Sequence, residues 1–152
     1  MKTVCHSMGS SQSMQKRKNV FEHGVHNEEV CDLLNIEKKY TDWIITTAFY
    51  AALHFVSYKI FPFKHQIQGS TDKVINTIEE WQNHKNYTSN KRHDLLAELV
   101  FKYCSDITEK YDWLLSMAKT SRYHQFTFDK AISEQAVRYM KEIKKSCQHK
   151  PK

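Results

Sequence analysis

Glycine and proline are scarce in this chain, with three Gly and two Pro among 152 residues. A sandwich or barrel of many short strands reverses direction often, and tight turns draw on these two residues, so their scarcity argues for helices. The four cysteines, Cys5, Cys31, Cys104 and Cys147, include no C-x-x-C pair. A zinc or dithiol redox site needs close pairing, and a small secreted scaffold is denser in cysteine, so free, reduced thiols in a cytoplasmic protein are expected. Residues 1–15 are polar and Ser-rich and lack the apolar stretch of a secretory leader. Glycine-rich phosphate loops, nucleophile elbows, H-E-x-x-H and paired-carboxylate signatures are all missing, which removes support for conventional nucleotide hydrolysis and zinc chemistry. His23 and His26 have no cysteine or carboxylate cluster beside them in sequence, so neither a metal nor a cofactor is expected.

What is present describes a globular domain. Hydrophobic residues make up 40% and charged residues 26% of the chain, enough for one domain with a real core. The net charge of +6 is unevenly placed: residues 1–26 carry +3, residues 138–152 carry +5, and the body between carries −2. The basic excess therefore sits at the two ends, where charge runs are usually solvated, although basic tails also hold RNA through phosphate contacts. The most apolar stretch, Trp43 to Phe61, is about long enough to span a bilayer. It contains His54, Ser57, Tyr58 and Lys59, so it reads as a buried core helix and no membrane partner is expected.

Along the chain, residues 1–26 show no periodicity and are expected to be a flexible basic segment. Asn27, followed by Glu28 and Glu29, reads as a helix N-cap. Thr41-Asp42 opens the next helix, in which Ile44, Ile45, Ala48, Phe49, Ala52, Phe55 and Val56 leave almost no polar face; a helix apolar all round must be covered on all sides. Pro62 ends it. Ser70 or Thr71 then caps a helix with Val74, Ile75, Ile78 and Trp81 on one face. Asn90 opens a run of about 28 residues with an unbroken stripe from Leu95 to Ala118, expected as one long helix or two nearly collinear ones. Ser121 to Phe128 reads as irregular, and Asp129 caps a last helix ending near Lys144 and Lys145. No alternating strand pattern competes. The expectation is an all-α, antiparallel up-and-down bundle of four to five helices over residues 27–146, followed by a basic tail at 147–152.

Three stretches, taken in order, carry a family resemblance: "DWIITTAFYAALHFVSYKIF" (Asp42 to Phe61), "NKRHDLLAELV" (Asn90 to Val100) and "YDWLLSMAKTSRYHQF" (Tyr111 to Phe126). Together they resemble the HEPN superfamily, whose core opens with a Trp-then-Tyr-Tyr-Ala-Ala-Leu-His helix, continues with a helix starting in a His and Arg/Lys cluster, and precedes its last helix with a Ser-Arg-x-x-Tyr region. The resemblance covers roughly residues 28–146. It implies a HEPN-like bundle that dimerises, with roles in RNA cleavage, RNA or nucleotide binding, and toxin–antitoxin or defence systems. Catalytic members carry an Arg followed four to six residues later by a His, a pair that can position and protonate a scissile phosphate. Arg92, Arg122 and Arg138 have no His at that distance. Arg17 and His23 have the spacing, but they precede the core and read as a chance match.

Within that frame Tyr50, His54, Arg92, Arg122 and Tyr123 are the candidate ligand-binding residues, and Arg92, His93, Arg122 and His124 the candidate catalytic ones. His54 lies one turn after Tyr50, where a buried histidine bonded to a neighbouring helix is the commoner situation and a phosphate ligand the alternative. Arg92 and His93 open a helix, a position suited to an anion. Arg122, Tyr123 and His124 fall in the stretch read as irregular, where an Arg clamps a phosphate bidentately or caps helix carbonyls. The leading expectation is a non-catalytic, homodimeric module binding RNA, a nucleotide or a protein. A metal-independent ribonuclease and a structural partner of a nucleotidyltransferase are the alternatives.

Overall fold

The computed structural model describes residues 8–88 and 91–149, with the side chains of residues 8–11 and 13 outside that description. Six α-helices and one short ribbon appear in the order α1 (Met8–Glu37), α2 (Thr41–Ile60), β1 (Phe63–His65), β2 (Lys73–Ile75), α3 (Ile78–His84), α4 (Arg92–Tyr103), α5 (Thr108–Tyr123) and α6 (Lys130–Gln148). The fold is mostly helical, as the scarcity of turn residues implies.

The central helix is α2. Ile44, Ile45, Ala48, Phe49, Ala51, Ala52, Phe55 and Val56 are all fully buried, and α1, α4, α5 and α6 each contact it. Coverage fails at its first turn, where Trp43 remains 58% exposed. Phe61 follows with extended backbone ahead of Pro62, whose missing N–H cannot continue the helix.

Cross-helix pairs define the directions. Glu28 meets Lys144, Asp32 meets Lys141 and Lys38 meets Glu134, so α1 runs against α6. Lys110 pairs with Glu142 and Trp113 packs edge-on against Tyr139, so α5 also runs against α6. Thr46 bonds Ser121, whereas Phe49 further along α2 packs on Tyr111 near the start of α5, so α2 and α5 are antiparallel. The Phe128 N–H just before α6 bonds Thr41, and Lys59 at the far end of α2 bonds Ser146. Helices α2 and α6 therefore run parallel.

Several expectations are corrected. The first helix begins at Met8, not after Asn27, and contains nineteen of the residues expected to be aperiodic; residues 1–7 lie outside the description. Its inward stripe is Phe21, Gly24, Val25, Glu28 and Cys31, with few large apolar residues to mark a period. Glu28 is buried because Lys144 answers its charge. The run from Asn90 is not collinear: α4 stops at Cys104, a 3-10 turn follows at Ser105–Ile107, and α5 folds back so that Lys119 reaches Asp94. Asn90 itself lies outside the described residues.

Val74 and Ile75 do not join a helix but pair in a ribbon, Phe63 opposite Ile75 and His65 opposite Lys73. The helix start is Thr77, whose hydroxyl accepts from the Glu80 N–H while the Glu80 carboxylate accepts from Asn76. At the other end, α6 continues past residue 146 because Cys147 is fully buried. Cys31 and Cys104 are buried and free as well, and burial pushes all three thiols up, to about 11, 11 and 12. No helix among the described residues is long and apolar enough to cross a membrane.

Candidate functional site

The return of α5 along α4 brings the first turn of one beside the last turn of the other. Arg122 and Tyr123 are not in a loop, as their sequence neighbourhood implies, but in the final turn of α5; the irregular segment starts only at His124. Arg122 donates from Nε to the Ala118 carbonyl at 3.2 Å and from Nη1 to the Tyr50 hydroxyl at 2.8 Å. Its guanidinium carbon lies 5.7 Å from the Tyr50 ring centre and 5.4 Å from that of Tyr123. Arg122 forms no ion pair among the described residues, so its half-buried charge is held by hydroxyl, carbonyl and ring faces alone.

His93 packs edge-on against Phe49 at 5.6 Å. Its pKa is held down by burial first, then by Arg122, Arg92 and Lys119, against a smaller opposing pull from Asp94. Its Nδ1 is buried without a hydrogen-bond partner among the described residues. An imidazolium would leave an unsatisfied donor there, so the geometry also favours the neutral ring.

His54, one turn beyond Tyr50 on α2, stacks on His23 of α1 with ring centres 3.9 Å apart. Burial, then His23, then Arg92 lower its pKa to about 4. His54 is expected as a buried histidine bonded to a neighbouring helix; it is half-buried, and its contact with the neighbouring helix is a stack on another imidazole. His23 was not expected in the site, because nothing in the sequence around it marks α1 as extending that far. Arg17 does not join His23 but donates to the Phe61 carbonyl at 3.3 Å.

Of the expected residues, Tyr50, Arg122 and Tyr123 are in contact, and His93 joins them through Phe49, whose ring packs on both His93 and Tyr50. His54 and Arg92 adjoin this group through the field that Arg92 exerts on both histidines. Arg92 is itself paired with Glu79. His124 stands apart: it caps α5 through its backbone N–H to the Thr120 carbonyl, and its ring is exposed. No group of three or more His, Cys, Asp or Glu able to hold a metal ion occurs among the described residues.

The chemistry available is that of hydrogen-bond donors and fixed positive charge beside two imidazoles kept neutral at pH 7. Such a group attracts an anion. It is poorly equipped to give up a proton, since a general acid must be protonated at the working pH. Comparison of the chain with models of known protein families, with curated proteins and with solved structures finds no match.

Proposed function

We propose that this protein is a HEPN-like helical module that binds RNA or a nucleotide through the Arg122 group and does not cleave it. The observation that carries the proposal is the Arg122 guanidinium, which forms no ion pair among the described residues, is held by Tyr50 and lies against the Tyr123 ring. An arginine already oriented by a hydroxyl and a carbonyl loses little freedom on meeting a phosphate, and the exposed Tyr123 ring offers a face for a base. Two features speak for binding without cleavage. His54 and His93 are held neutral, able to take a proton but not to supply one to a leaving group, and His124, the remaining candidate acid, lies outside the group.

The proposal includes a homodimer. Leu33 and Ile36 near the end of α1, with Tyr40 and Trp43 after it, are 66%, 75%, 46% and 58% exposed. Large apolar side chains exposed around the α1–α2 turn suit a protein contact. A role in a toxin–antitoxin or defence system belongs to the same proposal through the HEPN resemblance.

The test is fluorescence anisotropy with a labelled single-stranded RNA, run beside a gel assay for cleavage of the same RNA. Binding lost in Arg122→Ala, with the RNA left intact, supports the proposal. Cleavage that Arg122→Ala abolishes would turn it to the metal-independent ribonuclease. Retention of a second protein but no RNA would turn it to the structural-partner alternative.

A further inference from the structure

A second cationic group lies at the other end of α4. That helix is 12 residues long, so Tyr103 sits roughly 16 Å along its axis from Arg92. Here the first strand of the ribbon, the loop between its strands and the end of α4 form an open surface recess of about 430 Å³ lined by Lys64, His65, Gln66, Asp72 and Lys102. Lys73 faces His65 across the ribbon. His65 in turn meets His84 and Trp81, each at 4.9 Å between ring centres. Lys85 lies 4.9 Å from the Trp81 ring centre, and Lys102 lies 5.0 Å from that of Tyr103. Phe63 fills the space between Trp81 and Tyr103.

The charge balance of this region is one-sided. Lys64, Lys73, Lys85 and Lys102 form no ion pair among the described residues. The recess holds one carboxylate, Asp72, and the neighbouring acids of α3 are engaged elsewhere, Glu79 by Arg92 and Glu80 by Asn76. Like charges gathered without counter-charges oppose folding, and this body of the chain is otherwise slightly negative. The accumulated field shows at His84, where burial, then Lys73, His65 and Lys85 hold the pKa down.

We infer that the recess between the ribbon and the end of α4 is a phosphate-binding site for a nucleotide or a single-stranded nucleic-acid backbone. Lysine ammonium groups are compact point charges suited to phosphate. Tyr103, 39% exposed beside Lys102, adds an aromatic ring on which a base stacks, a contact that a glutamate oligomer has no ring to make. The site shares no residue with the Arg122 group, so it stands whether or not that group binds RNA.

Amide chemical-shift mapping tests it, with ATP and octauridylate as separate probes and a glutamate oligomer of matched charge as control. Saturable shifts are expected at residues 63–66, 72–75 and 102–103. They should disappear in the Lys64→Gln, Lys102→Gln double variant and persist in Arg122→Ala. Both lysines are exposed, so an unchanged remainder of the spectrum will report an intact fold. For octauridylate, the slope of log affinity against log salt should fall by about 0.7 per lysine removed. Shifts with octauridylate alone identify the backbone as the source of the phosphate, shifts with ATP alone a free nucleotide, and shifts with both the phosphate itself. No ribbon shift with either probe, shifts that survive the double variant, or equal shifts with the glutamate oligomer would each overturn the inference.

Discussion

Arg122 donates to the Tyr50 hydroxyl at 2.8 Å, joining the last turn of α5 to the middle of α2 across 72 positions of sequence. This bond fixes where the guanidinium points. Arg122→Ala should weaken binding of single-stranded RNA by roughly 1.5 kcal/mol or more, about tenfold in Kd, as read by anisotropy. Arg122→Lys should not restore it, because an ammonium cannot bond Tyr50 and a phosphate with the fork of a guanidinium. Tyr50→Phe should cost about 1 kcal/mol of stability in urea unfolding. Equal binding by wild type and Arg122→Ala would remove the basis for this site.

The His23–His54 stack predicts acid sensitivity. An unfolded imidazole takes its proton near 6.5, whereas folded His54 takes it only at about 4. Between those values the unfolded chain holds the extra proton, so lowering the pH favours unfolding. The stability contributed by the neutral ring is fully present above pH 6.5 and is lost as the pH falls towards about 4. His93 acts in the same direction. Melting temperatures across this window should fall steadily in the wild type and less steeply in His54→Gln; parallel curves would contradict the assignment.

Tyr111 is fully buried, and its hydroxyl has no hydrogen-bond partner among the described residues. Replacing an unsatisfied buried polar atom by hydrogen removes a desolvation cost while leaving the ring in place. Tyr111→Phe should therefore unfold at the same or a higher urea concentration, with a gain of up to about 1 kcal/mol. Tyr111→Ala should lose about 3–5 kcal/mol through the cavity left against Phe49. A marked loss in the Phe variant would mean that the hydroxyl is satisfied after all.

Gly24 lets α1 approach α2. A Cβ built there would lie 2.6 Å from a ring carbon of Phe55, a side chain that is fully buried and has no room to retreat. Gly24→Ala should destabilise by about 1–3 kcal/mol despite its better helix propensity. The double change Gly24→Ala, Phe55→Leu should recover part of that loss, measurable as a non-additive thermodynamic cycle.

The legible part of the fold was the part that local rules decide. The α2 helix was readable because consecutive apolar residues and Pro62 leave no other arrangement. The start of α6 at Asp129 was similarly plain. Thr77 and Glu80 carry a capping pair that was available in the sequence, yet the apolar spacing of Val74, Ile75, Ile78 and Trp81 suggested a helix across it. Cross-strand pairing with Phe63 and His65 decided the matter.

The sequence by itself determined a helical protein with a buried central helix, and it supplied the residues of the candidate site: Tyr50, His54, Arg92, His93, Arg122 and Tyr123. Tertiary structure alone decided which of them meet. The chain reverses at Cys104 and the turn after it, where the apolar stripe continues unbroken, so periodicity could not reveal the fold-back that brings the end of α5, with Arg122, to the start of α4, with His93. Nor could it reveal that α1 extends to Met8 and delivers His23 to His54, since Gly24 and Glu28 face inward for reasons their neighbours in sequence do not supply. One fits under the Phe55 ring and the other is answered by Lys144. Local pattern marks a buried face by its apolar side chains; small or charged residues are buried only when a distant partner accommodates them.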